Sequence, residues 1–93
     1  MGAPITEATA HRNTIVRVYE DRVEIVSGWL GERVETVRHR DIAEVRVQGL
    51  VNCTLSIWSS SGRVHRLGRM ALPDARAVKE AIERQKQKAA SYE

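Results

Sequence analysis

Hydrophobic and polar residues alternate along most of the chain with a period of two, a pattern typical of β-strands that bury one face. The clearest example is a pair of segments, residues 14–19 and 22–27, separated by the polar dipeptide Glu20-Asp21. Two alternating segments joined by so short a polar connection predict a β-hairpin. The residues expected on its inward face are Val16, Val18, Val23 and Ile25.

Further alternating segments follow at residues 33–39, 42–47, 53–58 and 63–67, with turn-forming residues between them. The first of these has two candidate inward faces, either Val34 with Thr36 or Val37 with His39, and we favour the second. In the next two segments the alternation is clean. Its inward residues are predicted to be Ala43, Val45 and Val47, then Cys53, Leu55 and Ile57, with Thr54, Ser56 and Trp58 facing outward.

The spacing of hydrophobic residues changes to three and four at residues 72–88, which predicts an α-helix. Pro73 suits the first helical position, and Asp74 places a negative charge in the first turn. Ala75, Val78 and Ile82 form one hydrophobic stripe. Because such a helix is not stable alone, we expect the stripe to pack on the strands.

A chain of 93 residues corresponds to one small domain. Strands followed by one helix predict an α+β fold: a bent antiparallel β-sheet, or partly open barrel, of six to seven strands capped by the C-terminal helix. Residues 14–90 form this single domain. Residues 1–13 lack periodicity and are expected to be a flexible N-terminal arm, or else to supply an edge strand near Pro4 and Ile5.

The net charge of +3 is too small to predict binding to nucleic acid or membranes by itself. The charge is distributed unevenly: between residues 38 and 69 the sequence has six arginines and only two acidic residues, Asp41 and Glu44. No hydrophobic run is long enough to span a bilayer, and the N-terminal residues do not resemble a signal peptide. The single cysteine fits a reducing compartment, so a cytoplasmic location is expected.

Catalytic and metal-binding signatures are absent from the sequence. The three histidines, His11, His39 and His65, do not have metal-ligand spacing. Cys53 leads a hydrophobic strand face, where cysteine behaves as a small hydrophobic residue. Gly28 and Gly31 are not part of a phosphate-binding loop. We therefore predict no enzymatic activity, no catalytic residue, no cofactor and no metal.

The order of these elements resembles the bacterial pleckstrin-homology-like (PH-like) domains. The resemblance rests on the hairpin Val-Tyr-Glu-Asp-Arg-Val-Glu-Ile (residues 18–25), on Asp-Ile-Ala-Glu-Val (41–45), on a Leu-x-Ile strand before a Ser-Gly turn, and on the Pro-Asp helix start. It implies a strongly bent antiparallel barrel, usually of seven strands, plugged by a C-terminal helix. It also implies a small binding or oligomerising module. The lysine-rich pattern of inositol-phosphate-binding relatives is missing from the first hairpin, which has only Arg17 and Arg22.

Two groups of residues are candidates for binding a partner. Trp29 and Leu30 are large hydrophobic residues in a turn, and they either fold back over the mouth of the barrel or stay exposed as an anchor for a partner, a second copy or a membrane surface. Trp58 is on an outward strand face. If exposed, these three residues predict a protein partner or a homo-oligomer. An open sheet edge is a second route to self-association. The alternative is an anionic ligand, a lipid head group or nucleic acid, bound by an arginine-rich face. That face comprises Arg38, Arg40, Arg46, Arg63, Arg66 and Arg69.

Overall fold

A computed structural model describes residues 3–91, which form seven β-strands and one α-helix. The strands are β1 (Thr6–Ala10), β2 (Thr14–Val18), β3 (Arg22–Ser27), β4 (Arg33–Arg38), β5 (Ile42–Gln48), β6 (Asn52–Ser59) and β7 (Val64–Ala71). One 3-10 turn, His39–Asp41, joins β4 to β5, and the helix α1 (Leu72–Ser91) follows β7 directly.

The strands make two antiparallel sheets in which neighbours in sequence are neighbours in space. The first sheet has the order β1-β2-β3-β4, and the second has the order β5-β6-β7. The predicted α+β class is confirmed. The two sheets approach each other where the His11 N–H donates to the Gly68 carbonyl over 2.9 Å. Within residues 3–91 no strand pairing continues from one sheet to the other, so the structure does not close into one sheet.

The first strand lies in the segment for which the sequence offered either an arm or an edge strand. Residues 6–10 pair with β2, from Thr6 opposite Val18 to Ala10 opposite Thr14. Ala8 and Ala10 are buried and belong to the hydrophobic core. Met1 and Gly2 of the predicted arm lie outside the described residues.

Burial confirms most of the predicted inward faces, including the whole inward face of the first hairpin. In β4 and the turn after it, Val37 and His39 are the buried pair, as favoured above. The prediction for Ala43 was wrong, because its side chain is exposed. The pairing of β5 with β6 shifts register between Ile42 and Glu44, so Ile42 and Val45 are the residues that reach the core.

The helix packs its hydrophobic stripe against the strands, as predicted. Ala75, Val78 and Ile82 have no solvent-exposed surface, and Ala81 is also buried. The helix contacts β5, where the Lys86 ammonium donates to the Ala43 carbonyl over 3.4 Å. Among the described residues, no helix has the length and hydrophobicity required to span a membrane.

Candidate functional site

The connection between β3 and β4 presents two large hydrophobic side chains to solvent. We call residues 28–32 the apolar turn. Gly28 and Gly31 adopt positive φ angles of 101° and 69°, a region that glycine enters without steric cost. The Gly31 N–H donates to the Gly28 carbonyl over 3.2 Å and tightens the turn. Trp29 and Leu30 lie at its tip, 83% and 86% exposed.

A carboxylate inside the turn holds this conformation. Glu32 accepts a hydrogen bond from the Leu30 N–H over 2.9 Å. Backbone hydrogen bonds, first from its own N–H and then from Leu30, lower the pKa of Glu32 below its usual range. A Cβ at Gly28 would lie 2.6 Å from the Glu32 Cδ, so a side chain there would displace the Glu32 carboxylate. The turn is therefore organised by local contacts, although its tip is not buried.

Trp58 is placed differently from Trp29, although both were candidates for partner contact. Trp58 faces outward on β6 but is half-buried, and the Arg46 guanidinium lies 5.6 Å from the ring centroid. Arg46 also forms an ion pair with Glu44. Ser56, two residues before Trp58, is buried on this face, with Arg46 and Arg66 opposite it on the neighbouring strands. Part of the Trp58 surface is thus already covered within the chain.

A cleft separates β4 from the hairpin that joins β6 to β7. We call it the β4 cleft; its volume is about 680 Å³. One wall is residues 34–38 of β4, and the other comprises residues 59–61 with Arg63 and His65; Asp41 lies at one end. Arg38 is exposed and forms no ion pair with any described residue.

One carboxylate bridges the two walls of the β4 cleft. Glu35 accepts from the Arg63 guanidinium over 2.8 Å through one oxygen. Its other oxygen lies 2.8 Å from the His65 Nδ1. The residues on either side of Glu35 are exposed, and Glu35 lies on the inward side of β4 together with the buried Val37. The bridge therefore links the two sheets on their interior side.

The six candidate arginines are not gathered on one face. Arg38 and Arg63 line the β4 cleft, whereas Arg46 and Arg66 lie opposite Ser56 on the outer face of the second sheet. Arg40 is exposed in the 3-10 turn, and Arg69 is exposed near a register shift in β7. Arg63 and Arg46 are each paired with a glutamate.

The three histidines have separate environments. His11 is exposed, His65 is buried against Glu35, and the His39 Nε2 lies 2.7 Å from the Tyr19 carbonyl oxygen. Cys53 is buried and its thiol lies 3.4 Å from the Gly49 carbonyl oxygen. In the described part of the chain, no three histidine, cysteine or acidic side chains group together as metal ligands.

Sequence reasoning missed a second hydrophobic turn and the bridge across the cleft. Leu50 and Val51, between β5 and β6, are 85% and 81% exposed. Their signal was present, because they follow a glycine as Trp29 and Leu30 do. The contact of Glu35 with Arg63 and His65 had no signal, since about 30 residues separate the partners and no spacing rule applies.

Comparison of the sequence with known proteins identifies no family: no family model matches the chain, and no curated protein is significantly similar to it.

Proposed function

We propose that this protein is a non-catalytic binding module of the PH-like kind, and that it binds a protein partner through the apolar turn. The order of seven antiparallel strands followed by one helix supports the PH-like assignment. The observation that carries the binding proposal is the exposure of Trp29 and Leu30 on a turn that local hydrogen bonds hold in place. Tryptophan at such a position is a typical hot spot of protein interfaces.

Preorganisation of the turn supports binding. A flexible loop loses conformational entropy when a partner immobilises it, which weakens the complex. Here the Gly31 hydrogen bond and the Glu32 carboxylate already restrict the backbone next to both hydrophobic side chains. A partner therefore gains buried hydrophobic area with little ordering of the loop.

The test compares two exposed turns of the same chain. Peptide ligands selected from a displayed library on the unmodified protein should lose at least tenfold in affinity when Trp29→Ala is introduced. Leu50→Ala is the matched control, because Leu50 is equally exposed on a different turn. Both variants should keep the original melting temperature, since neither side chain is in the core. Ligands that bind Trp29→Ala as well as the original chain would contradict the proposal.

A membrane is the other surface that an exposed tryptophan can enter. Vesicles of phosphatidylcholine containing one-quarter phosphatidylserine distinguish the two cases. We expect the chain to stay in the supernatant when these vesicles are sedimented at low salt. Sedimentation of the chain with the vesicles, lost in Trp29→Ala, would replace the protein partner with a lipid surface.

The second candidate function is binding of an anionic ligand on the outer face of the second sheet. Arg46 and Arg66 lie opposite Ser56, and Trp58 lies beside them as a surface for stacking. Glu44 already neutralises Arg46, which is why this function is second. Binding of a single-stranded oligonucleotide that weakens with added salt and is lost in Arg66→Ala would establish it.

A further inference from the structure

The outer edge of β4 has backbone groups available for another strand. β4 pairs with β3, and among residues 3–91 no strand pairs with its other side. In an antiparallel ladder, alternate residues direct both backbone groups away from the partner strand. The His39 N–H donates to the Asp21 carbonyl, so His39 and every second residue before it in β4 direct their backbone groups toward β3. It follows that Val34, Thr36 and Arg38 direct their N–H and C=O groups into the β4 cleft.

The β4 cleft leaves space beside this edge. Its volume of about 680 Å³ is within the usual range of ligand-binding pockets. Val34 and Thr36 are exposed along it, and Val34 is 55% exposed. The bridge from Glu35 to Arg63 and His65 is on the inward side of β4, so it does not occupy the outward backbone groups.

The charge around the cleft favours an acidic ligand. The β4 cleft and the adjoining pocket beside Arg33 contain three arginines and two carboxylates, an excess of one positive charge. These residues are Arg33, Arg38, Arg63, Glu35 and Asp41. Complementary charge increases the rate and selectivity of association with an acidic segment.

The cleft is also continuous with the proposed binding turn. The apolar turn ends at residue 32 and β4 begins at Arg33, so the turn adjoins one end of the strand that lines the cleft. The six residues of β4 span about 20 Å at the usual rise of a strand. A ligand extended along β4 therefore meets hydrophobic side chains at one end and arginines farther along.

We infer that β4 binds an extended acidic segment of a partner protein as an added β-strand. This inference rests on the proposed function and names the class of partner. The backbone of the segment bonds with Val34, Thr36 and Arg38, as in other complexes that extend a sheet by one strand. Its hydrophobic residues contact Trp29 and Leu30, and its carboxylates lie near Arg38 and Arg63.

The experiment selects ligands from random twelve-residue peptides displayed on phage, using the full chain as bait. We expect selected peptides to contain at least two acidic residues and one large hydrophobic residue. Arg38→Glu should raise the dissociation constant of the tightest synthetic peptide at least tenfold. Arg40→Glu, the matched control two residues away and outside the cleft, should change it less than twofold.

Backbone pairing is tested by a second variant and by amide exchange. Thr36→Pro removes an outward N–H and should weaken the same peptide at least tenfold, provided that its melting curve shows a folded chain. Independently, the amides of Val34, Thr36 and Arg38 in the original chain should exchange at least tenfold more slowly when the peptide is bound. Unchanged exchange at these amides overturns the added strand, whatever the proline variant does.

The remaining outcomes separate this inference from the proposed function. If Trp29→Ala abolishes peptide binding and Arg38→Glu does not, the apolar turn binds partners and the β4 inference is wrong. If no peptide is selected, or none is sensitive to either substitution, both are wrong. If the chain without peptide forms dimers that Arg38→Glu dissociates, the edge is occupied by a second copy, and the inference of an acidic partner segment fails.

Discussion

At the scale of single residues, His39 has the most unusual environment of the described titratable side chains. It is 2% exposed, and its Nε2 bonds with the Tyr19 carbonyl at 2.7 Å. Its Nδ1 is buried without a hydrogen-bond partner among the described residues. A carbonyl accepts only from a protonated nitrogen, so the neutral ring carries its proton on Nε2. A second proton on Nδ1 would create a buried charge with one unsatisfied donor.

We expect the protein to lose stability as the pH falls below about 6.5, the ordinary pKa of histidine. Burial lowers the pKa of His39, although the Tyr19 carbonyl and the charge of Asp21 act in the opposite direction. Between the lowered pKa and about 6.5, the unfolded chain binds more protons than the folded chain, so the free energy of unfolding decreases as the pH falls.

The measurement is urea unfolding of the original chain and of His39→Gln at several values between pH 7.5 and pH 5. The variant lacks the titrating ring, so its curve should depend less on pH over this interval. The carboxylates and the other histidines are common to both proteins and cancel in the difference. Parallel pH curves for the two proteins would show that His39 does not contribute.

Glycine is required at Gly49 but not at Gly68. Gly49 has a φ angle of 109°, and a Cβ there would lie 2.7 Å from the Asn52 backbone oxygen. Gly49→Ala should reduce stability by about 1–3 kcal/mol, the typical cost of strained backbone. Gly68 has an ordinary φ angle, and apart from Gly68 and its two chain neighbours no described residue lies within 4 Å of the point that a Cβ would occupy there. Gly68→Ala should change stability by at most about 1 kcal/mol, in the stabilising direction. Thermal unfolding of the two variants checks this contrast, and equal losses would contradict it.

At the scale of elements, the helix α1 owes its stability to the sheets. Its first turn has Pro73 and Asp74, which favour a helix start, but most of the stability of a helix in a protein comes from packing of its amphipathic face. One side of α1 is buried, and that side includes the polar Gln85 as well as the hydrophobic stripe. Packing on the strands therefore decides whether α1 forms.

Ile82→Ala should reduce the free energy of unfolding by about 2–5 kcal/mol, because it removes a fully buried aliphatic side chain. Arg76→Ala, on the exposed side of the same helix, should change it by no more than about 0.5 kcal/mol. Chemical denaturation of both variants provides the measurement. Equally small effects would mean that the stripe is not packed in solution.

At the scale of the whole molecule, a few polar contacts between residues distant in sequence join the two sheets. The backbone bond from His11 to Gly68 joins them at one side. Glu35 joins them at the β4 cleft, where it contacts Arg63 and His65. The Ser60 N–H also donates to the Asp41 carbonyl over 2.7 Å and connects the β6–β7 hairpin to the 3-10 turn.

Glu35→Ala should destabilise the protein by about 1–3 kcal/mol, since it leaves the buried His65 Nδ1 without its partner. Glu7→Ala is the control, because Glu7 pairs with Arg17 within one sheet and at an exposed position. That substitution should have little effect on the melting temperature. A loss in Glu7→Ala as large as that in Glu35→Ala would show that the bridge between sheets has no special role.

The sequence alone was sufficient to predict most of the elements and the fold class. Val16, Val18, Val23 and Ile25 have the period of a strand, and the stripe of α1 has the period of a helix. The same residues are buried in the structure, because removal of hydrophobic surface from water is the main driving force for the packing of both strands and helices. The apolar turn was also recognisable as unusual, since it has two large hydrophobic residues between glycines, but the sequence left open whether they fold back over the core or stay exposed.

Tertiary structure decided what local patterns do not contain. The shift in register after Ile42 exposes Ala43, and it depends on the pairing with β6 rather than on the sequence of β5. The six arginines lie on different surfaces of the molecule because the element that contains each arginine sets its position. The β4 cleft exists only because residues 34–38 and 59–65 meet when the two sheets pack. Contacts between residues so far apart depend on the three-dimensional path of the chain, whereas periodicity reports only which side of each element leaves water.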